Sequence, residues 1–327
     1  MPKIADIAQR AIEEEVFPGC VIGVVRASGE REVYPYGSLW YASDQKVRED
    51  TLYDLASVTK SIPVASLAAL LLEEGKLRLD DRVTRFVPEL HNDHASTIED
   101  LLRYRVRGPR MAELAKQYRT FEQLRTHILE QGFDGPAATP EYSNVPAFIL
   151  GLVLERAGGT ILPALAHRYL FGPLQMNDTS FFSALMVNDP RIAPTEIVEG
   201  QELLGIVHDE SARMFALRRR AVGHAGVFST APDLLSFTHA LLDGRFPAIV
   251  HLAQEGLGWQ REGDLFGSNA TQNAFGKTGF TGTSVVIDTQ KGMGLVILSN
   301  RTYPHRPADS SAINGFRAAI ADEVFSS

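Results

Sequence analysis

The chain has 327 residues, 44% hydrophobic and 22% charged, with 32 basic against 40 acidic side chains and a net charge of −8. Such a chain is globular, with enough apolar residues for a sizeable core in one large domain or two interleaved subdomains. The acidic balance, with no dense basic stretch, excludes a general nucleic-acid binder, and no run of eighteen apolar residues suggests a membrane span.

Residues Met1 to Val16 place Ile4, Ile7, Ala8 and Ile12 at helical spacing. This predicts an amphipathic helix and lacks the apolar core and cleavage site of a signal peptide, so a cytoplasmic protein is expected. The single cysteine, Cys20, excludes an intramolecular disulfide and reads as a small buried hydrophobe. Cys20 to Arg26 and Glu32 to Tyr36 form a predicted hairpin around Ser28-Gly29-Glu30. Ser38 to Thr51 is polar and loop-like. Val58 to Glu74 is apolar on most faces, which predicts one helix buried between layers and closed by Gly75.

Leu77 to Leu90 reads as a turn and a short helix at Val87 to Leu90. Thr97 to Leu102 follows as a helix capped by Ser96 or Thr97. Met111 to Gln131 is helical in pattern, ending at Gly132. Gly135 to Pro140 is a loop that delivers Glu141-Tyr142-Ser143-Asn144. Val145 to Ala157 is a second buried helix, stopped by Gly158-Gly159, and Ile161 to Leu170 reads as a further helix. Asp178 to Gly200 and much of Gln201 to Ala221 read as loops. Thr230 caps a predicted helix from Pro232 to Leu242. The period then changes: Ala274 to Phe280, Thr283 to Asp288 and Gly294 to Ser299 read as strands, and Ala312 to Phe325 as a closing helix. Strands at both ends with a helical middle predict an α+β domain over residues 1–327. One antiparallel sheet would come from about 1–56 and 222–327, with a mostly helical subdomain from about 57–221 inserted and the site in the cleft between them.

Three short segments carry candidate chemistry. In Ser57-Val58-Thr59-Lys60 a serine three residues before a lysine at a helix start shares one face with it. A serine hydroxyl needs a base within reach and donors aimed at the developing oxyanion. Tyr142-Ser143-Asn144 lies on a loop before a buried helix. Lys277-Thr278-Gly279 lies on a strand, where the glycine permits close backbone approach. Lys60, desolvated beside a second lysine, could take the serine proton. Tyr142, between Lys60 and Lys277, could do so instead, because two cations beside one phenol favour its anion.

The order and contexts of these segments resemble the serine β-lactamase and penicillin-binding-protein superfamily. Tyr-x-Asn as second motif is similar to the branch of class C β-lactamases, D,D-carboxypeptidases, D-aminopeptidases and related carboxylesterases. Asp54-Leu55-Ala56-Ser57, Glu74-Gly75-Lys76-Leu77, Phe171-Gly172-Pro173-Leu174, Gly223-His224-Ala225-Gly226 and Gly276-Lys277-Thr278-Gly279-Phe280-Thr281-Gly282 extend the resemblance over nearly the whole chain. It implies a cofactor-free, metal-free hydrolase that forms an acyl-enzyme on Ser57 from a small ester, amide or lactam. It implies an oxyanion hole from the backbone N–H groups of Ser57 and Phe280, and Tyr142 as proton donor to the leaving group and later as activator of water. It further implies that Asn144 holds Lys60 and the substrate amide, and that Lys277, with Thr278 and Gly279 beside it, fixes a substrate carboxylate or tunes Tyr142.

One departure stands out. Relatives follow Thr-Ile-x-x-Leu-Leu with x-His-Thr-Ser-Gly-Leu, whereas here Thr97 to Leu102 is followed by Arg103-Tyr104-Arg105-Val106-Arg107-Gly108-Pro109-Arg110. These arginines read as partners for the many acids, or as a lure for an anionic substrate. His208-Asp209-Glu210 and His224 lack metal-binding spacing, so no metal is expected. His224 reads as structural and His208 as a candidate substrate contact. Trp259 and Phe275 read as core side chains that could wall the cleft. The alternative is an inactive binding or scaffold protein on the same fold, for which the altered loop is the one argument.

Overall fold

The five-stranded antiparallel sheet sets Arg31–Gly37, Gly19–Arg26, Met293–Ser299, Ser284–Asp288 and Ala274–Thr278 side by side in that order, so strands from the two ends of the chain are neighbours. A computed structural model describes residues 2–181 and 189–326. Helix α1 (Pro2–Glu13) leads into β1 (Gly19–Arg26) and β2 (Arg31–Gly37), and β3 (Tyr53–Asp54) precedes the nucleophile segment. The helical middle comprises α2 (Ser66–Glu73), α3 (Ile98–Leu102), α4 (Met111–Gln117), α5 (Phe121–Gln131), α6 (Val145–Gly158) and α7 (Leu162–Ala166). A two-residue ribbon of β4 (Ile197–Val198) and β5 (Gln201–Glu202) precedes α8 (Glu210–Ala216). Then come β6 (Phe228–Ser229), α9 (Ala231–Leu242), α10 (Pro247–Gln254), β7 (Ala274–Thr278), β8 (Ser284–Asp288), β9 (Met293–Ser299) and α11 (Ser311–Val324).

Alternation along β1 divides the core. Cys20, Ile22 and Val24 join Ile4, Ala8, Ile320 and Phe325 under α1 and α11. Val21 and Val25 face the opposite way, with Leu234, Phe237 and the helical middle. Both faces of the sheet are covered, and each fully buried Leu, Ile or Phe contributes about 1.5–3 kcal/mol. Ala56–Glu73 is long and apolar enough to cross a membrane by length and composition, but 83% of it is buried inside the fold.

Several elements depart from the sequence pattern. The expected helix from Val58 to Glu74 is broken. Ala56–Lys60 is a 3₁₀ turn, Ile62 takes an extended conformation (φ −117°, ψ 104°) ahead of Pro63, and the regular helix starts at Ser66. The expected helix over 111–131 is two, because Thr120 and Gln123 form a reciprocal capping box that starts α5 afresh. The short helix expected at Val87 to Leu90 is a 3₁₀ turn at Val83–Arg85 instead. The loop expected over 201–221 contains β5 and α8, the latter capped by Asp209, whose carboxylate accepts from the Ala212 N–H. Helix α10, which the pattern did not suggest, begins with Pro247 at its first position. The part of the expected loop at 182–188 lies outside the described residues.

Candidate active site

Ser57 is placed by its immediate backbone. Tyr53 and Asp54 pair with Ser229 and Phe228, and the Leu55 N–H donates to Val227 O at 2.8 Å. The buried Asp54 carboxylate accepts from the Ala56 N–H at 2.8 Å and from the His208 N–H at 2.7 Å. Burial raises its pKa, and those two donors pull it down. Ala56 sits at φ +47°, a left-handed conformation that costs a non-glycine residue about 1–3 kcal/mol. Ala56 is the first residue of the 3₁₀ turn Ala56–Lys60, which holds Ser57 in its second position. The backbone N–H groups of Ser57 and Phe280 have no acceptor among the described residues.

The Ser57 Oγ accepts from Lys60 Nζ at 2.8 Å and from the Tyr142 hydroxyl at 2.7 Å. Lys60 is only 2% exposed, and its Nζ also donates to His224 O at 2.7 Å. Burial lowers its pKa to about 7, against the opposing pull of Asp209. Tyr142 is 55% exposed, with its ring 5.2 Å from Lys60 Nζ and 4.7 Å from Lys277 Nζ. Lys277 Nζ also lies 5.2 Å from the Tyr104 ring, so its ammonium sits beside two aromatic rings. Burial first, then Lys60, lowers the Lys277 pKa to about 8, and Tyr142 opposes the shift.

The strand bearing Lys277 is stitched to the nucleophile. The Thr281 hydroxyl donates to Asp54 O at 2.7 Å, and the Thr283 hydroxyl to Leu55 O at 3.0 Å. Gly279 lies in this contact, where a Cβ would come within 2.1 Å of Thr283 Oγ1 and 2.4 Å of Leu55 O. Close approach, not backbone conformation, therefore demands glycine there. The cleft encloses about 430 Å³ and runs from Ser57 past Trp259 and Thr278 to Arg301, Asn314 and Arg317. No carboxylate is among the described residues that line it.

Residues 4–320 match the family model described as Beta-lactamase. The chain belongs to the beta-lactamase family. It is 30% identical over 325 residues to a putative D-alanyl-D-alanine carboxypeptidase of Escherichia coli (strain K12), covering 83% of this chain and 73% of that protein. An N-acetylmuramyl-L-alanine amidase of Bacillus subtilis (strain 168) is 26% identical over 345 residues, covering 88% of this chain and 78% of that one. Among solved structures, "EstCE1, a hydrolase with promiscuous acyltransferase activity" matches with TM-score 0.76 at 19% identity, covering 99% of this chain and 98% of that chain. A beta-lactamase/D-alanine carboxypeptidase from Pseudomonas syringae matches with TM-score 0.73 at 20% identity, over 99% and 98% of the two chains. At such identities the structural matches speak for the fold.

Within this beta-lactamase-family cleft, some side chains take other partners than expected. Asn144 does not hold Lys60: its Nδ2 donates to Asp209 Oδ2 at 3.3 Å, and the His224 carbonyl takes the lysine instead. The reason is Asp209, a half-buried carboxylate held well below the usual carboxylate range. Burial opposes that shift, and His224, Ser211 and the Ala212 N–H outweigh it. The Thr278 hydroxyl donates to Gln260 Oε1 at 3.1 Å, so toward the cleft it offers lone pairs. His224 is fully buried, its Nε2 2.9 Å from Ser211 Oγ and 3.3 Å from Asp209 Oδ1. His208 is buried beside Glu196 (2.9 Å) and stacks on Phe280 at 5.7 Å, so it supports the cleft wall from behind. Trp259 lines the cleft, whereas Phe275 is fully buried core packed edge-on against it at 5.3 Å.

The altered loop contributes a tyrosine more than its arginines. Arg103 pairs with Glu99 at 2.7 Å, Arg105 lies 3.6 Å from Asp100, and Arg107 pairs with Glu141. Tyr104, at φ +54°, turns its ring into the cleft 5.4 Å from that of Tyr142. Sequence reasoning also missed Arg317 on α11, which is 3% exposed and donates to Gly279 O at 2.9 Å and Thr283 O at 2.8 Å. Burial, with Arg301 beside it, lowers its pKa, yet a guanidinium starts so high that it stays charged. The Asp209 helix cap was readable from sequence. Nothing local links Tyr104, Gln260 or Arg317 to Ser57.

Proposed function

We propose that the protein is a serine hydrolase that cleaves ester or amide bonds through an acyl-enzyme on Ser57. The observation that carries this reading is the Ser57 Oγ, within 2.8 Å of Lys60 Nζ and 2.7 Å of the Tyr142 hydroxyl. With a pKa lowered to about 7, Lys60 is neutral in roughly half of the molecules at neutral pH and can then accept a proton. Ser57 Oγ attacks the carbonyl carbon as its proton passes to Lys60. The N–H groups of Ser57 and Phe280 receive the oxyanion. Collapse breaks the bond to the leaving group, which takes the Tyr142 proton, and Lys60 reprotonates the phenolate. Deacylation repeats the sequence with water as nucleophile.

The cleft chemistry favours a substrate bearing a carboxylate. Lys277, Arg301 and Arg317 line it with Asn314, without a carboxylate among the described lining residues. A carboxylate-bearing ester, amide or lactam fits that charge, and the relatives' names, carboxypeptidase and amidase, belong to the same bond classes. The test is intact-protein mass spectrometry after incubation with p-nitrophenyl butyrate, nitrocefin and a D-alanyl-D-alanine peptide, with Ser57→Ala as control. An acyl adduct or turnover that needs Ser57 supports the reading. Equal turnover by Ser57→Ala refutes it, and silence across the panel shifts weight to a non-catalytic binding role.

A further inference from the structure

A second cavity, of about 340 Å³, opens among the helices, away from Ser57. This is within the range of small-ligand sites, about 300–1,000 Å³. Its floor is aromatic: the Phe215 ring centroid lies 5.4 Å from that of Phe121 and 5.5 Å from that of Phe148. Leu152 and Val222 extend the apolar lining, and Ile161 at the edge leaves 55% of its surface exposed. An exposed aliphatic side chain beside an apolar hollow marks surface that a ligand can cover.

The charges on this cavity are one-sided. Arg125, Arg156, Arg219 and Arg220 line it, against the single carboxyl of Glu155. The Leu162 N–H already donates to Glu155 Oε1 at 2.8 Å. Arg125 and Arg156 share Glu89 outside the lining. Arg219 and Arg220 are exposed, and their guanidinium groups have no hydrogen-bond or ion-pair partner among the described residues, though Glu155 is within electrostatic reach of Arg220.

We propose that this cavity binds a small amphipathic organic anion, its apolar body on the Phe121–Phe148–Phe215 floor and its carboxylate or sulfonate at Arg219 and Arg220. Ser57 does not line the cavity, so the ligand is held rather than cleaved. The position is not remote from the chemistry. The Phe148 ring lies 6.1 Å from that of His224, whose carbonyl holds Lys60 Nζ at 2.7 Å.

Isothermal titration calorimetry with octanoate, and with octan-1-ol as its neutral counterpart, tests the proposal. One octanoate is expected to bind per chain, more tightly than the alcohol. The exposed double change Arg219→Glu/Arg220→Glu is expected to weaken octanoate by roughly tenfold, and Leu152→Trp, which fills the hollow, to abolish binding. Lys277→Ala, in the other cleft, is expected to leave it unchanged. Absence of octanoate binding, equal affinity for the alcohol, or indifference to the arginine reversals overturns the proposal. So does binding that survives Leu152→Trp and is lost in Lys277→Ala, which puts the anion beside Ser57. Should Leu152→Trp fail to fold, the surface arginine pair decides alone.

Discussion

Lys60→Met separates the chemistry of the lysine from the cost of burying it. Burial lowers the Lys60 pKa from 10.5 to about 7 in the folded protein. Between these values the unfolded chain holds a proton that the folded chain lacks, so stability rises with pH across this window. Over the full window the effect is roughly 5 kcal/mol, and between pH 7 and 9 it is about 2 kcal/mol. Methionine has similar length and no proton to lose. Urea unfolding of both proteins at pH 7 and pH 9 gives two stability differences. The wild type is expected to improve relative to Lys60→Met by about 2 kcal/mol across that interval. Lys277, lowered to about 8 mainly by burial, is present in both proteins; losing Lys60 raises its pKa in the variant, which adds to the difference in the same direction. Acylation by p-nitrophenyl butyrate is expected to fall about 10²–10⁴-fold in the variant, the loss of a general base. A flat stability difference, or one that moves the other way, refutes the argument that desolvation sets the protonation of Lys60. An unchanged acylation rate refutes its role as base.

Lys277→Ala is expected to lower kcat/KM for carboxylate-bearing substrates by about 10- to 100-fold, the worth of one charge-assisted hydrogen bond, and for neutral esters far less. Equal losses on both would remove the anion-binding role. Asp209→Asn deletes the charge that raises the Lys60 pKa, so the acid limb of the pH–kcat/KM profile is expected at lower pH than in the wild type, and an upward move would contradict the assignment. Gly279→Ala puts a Cβ 2.1 Å from Thr283 Oγ1 and 2.4 Å from Leu55 O. It is expected to cost about 1–3 kcal/mol in urea unfolding and to slow acylation by displacing the chain two residues before Ser57. A wild-type midpoint would show that the strand contact has room to spare.

Much of the fold was legible because the signals are local. Near-continuous apolar runs in 20–26 and 294–299 mark strands buried on both faces, and these strands pair directly, Cys20 with Ser299 and Arg26 with Met293. Thr97 and Thr230 start their helices as their side chains require. Where the pattern misled, a local signal was outweighed by a stronger periodic one. Pro63 inside an apolar run and the Thr120–Gln123 capping box inside a long helical stretch each mark a break that periodicity conceals.

The sequence by itself determined which groups could do chemistry. Ser57 and Lys60 are three residues apart in one turn, and such a spacing brings a hydroxyl and an amine together in a turn of helix. It also determined that Gly279 follows Lys277-Thr278 on a strand. Only the tertiary structure decided how these groups behave. The lysine pKa depends on its burial, and its hydrogen bond to His224 O spans 164 residues. The phenol that meets Ser57 Oγ comes from 85 residues away. The cationic lining of the cleft joins Lys277 on β7 to Arg317 on α11, which donates to Gly279 O across 38 residues. Burial and charge separation are properties of packed surfaces, to which residues far apart in the chain contribute, so no window of sequence contains them.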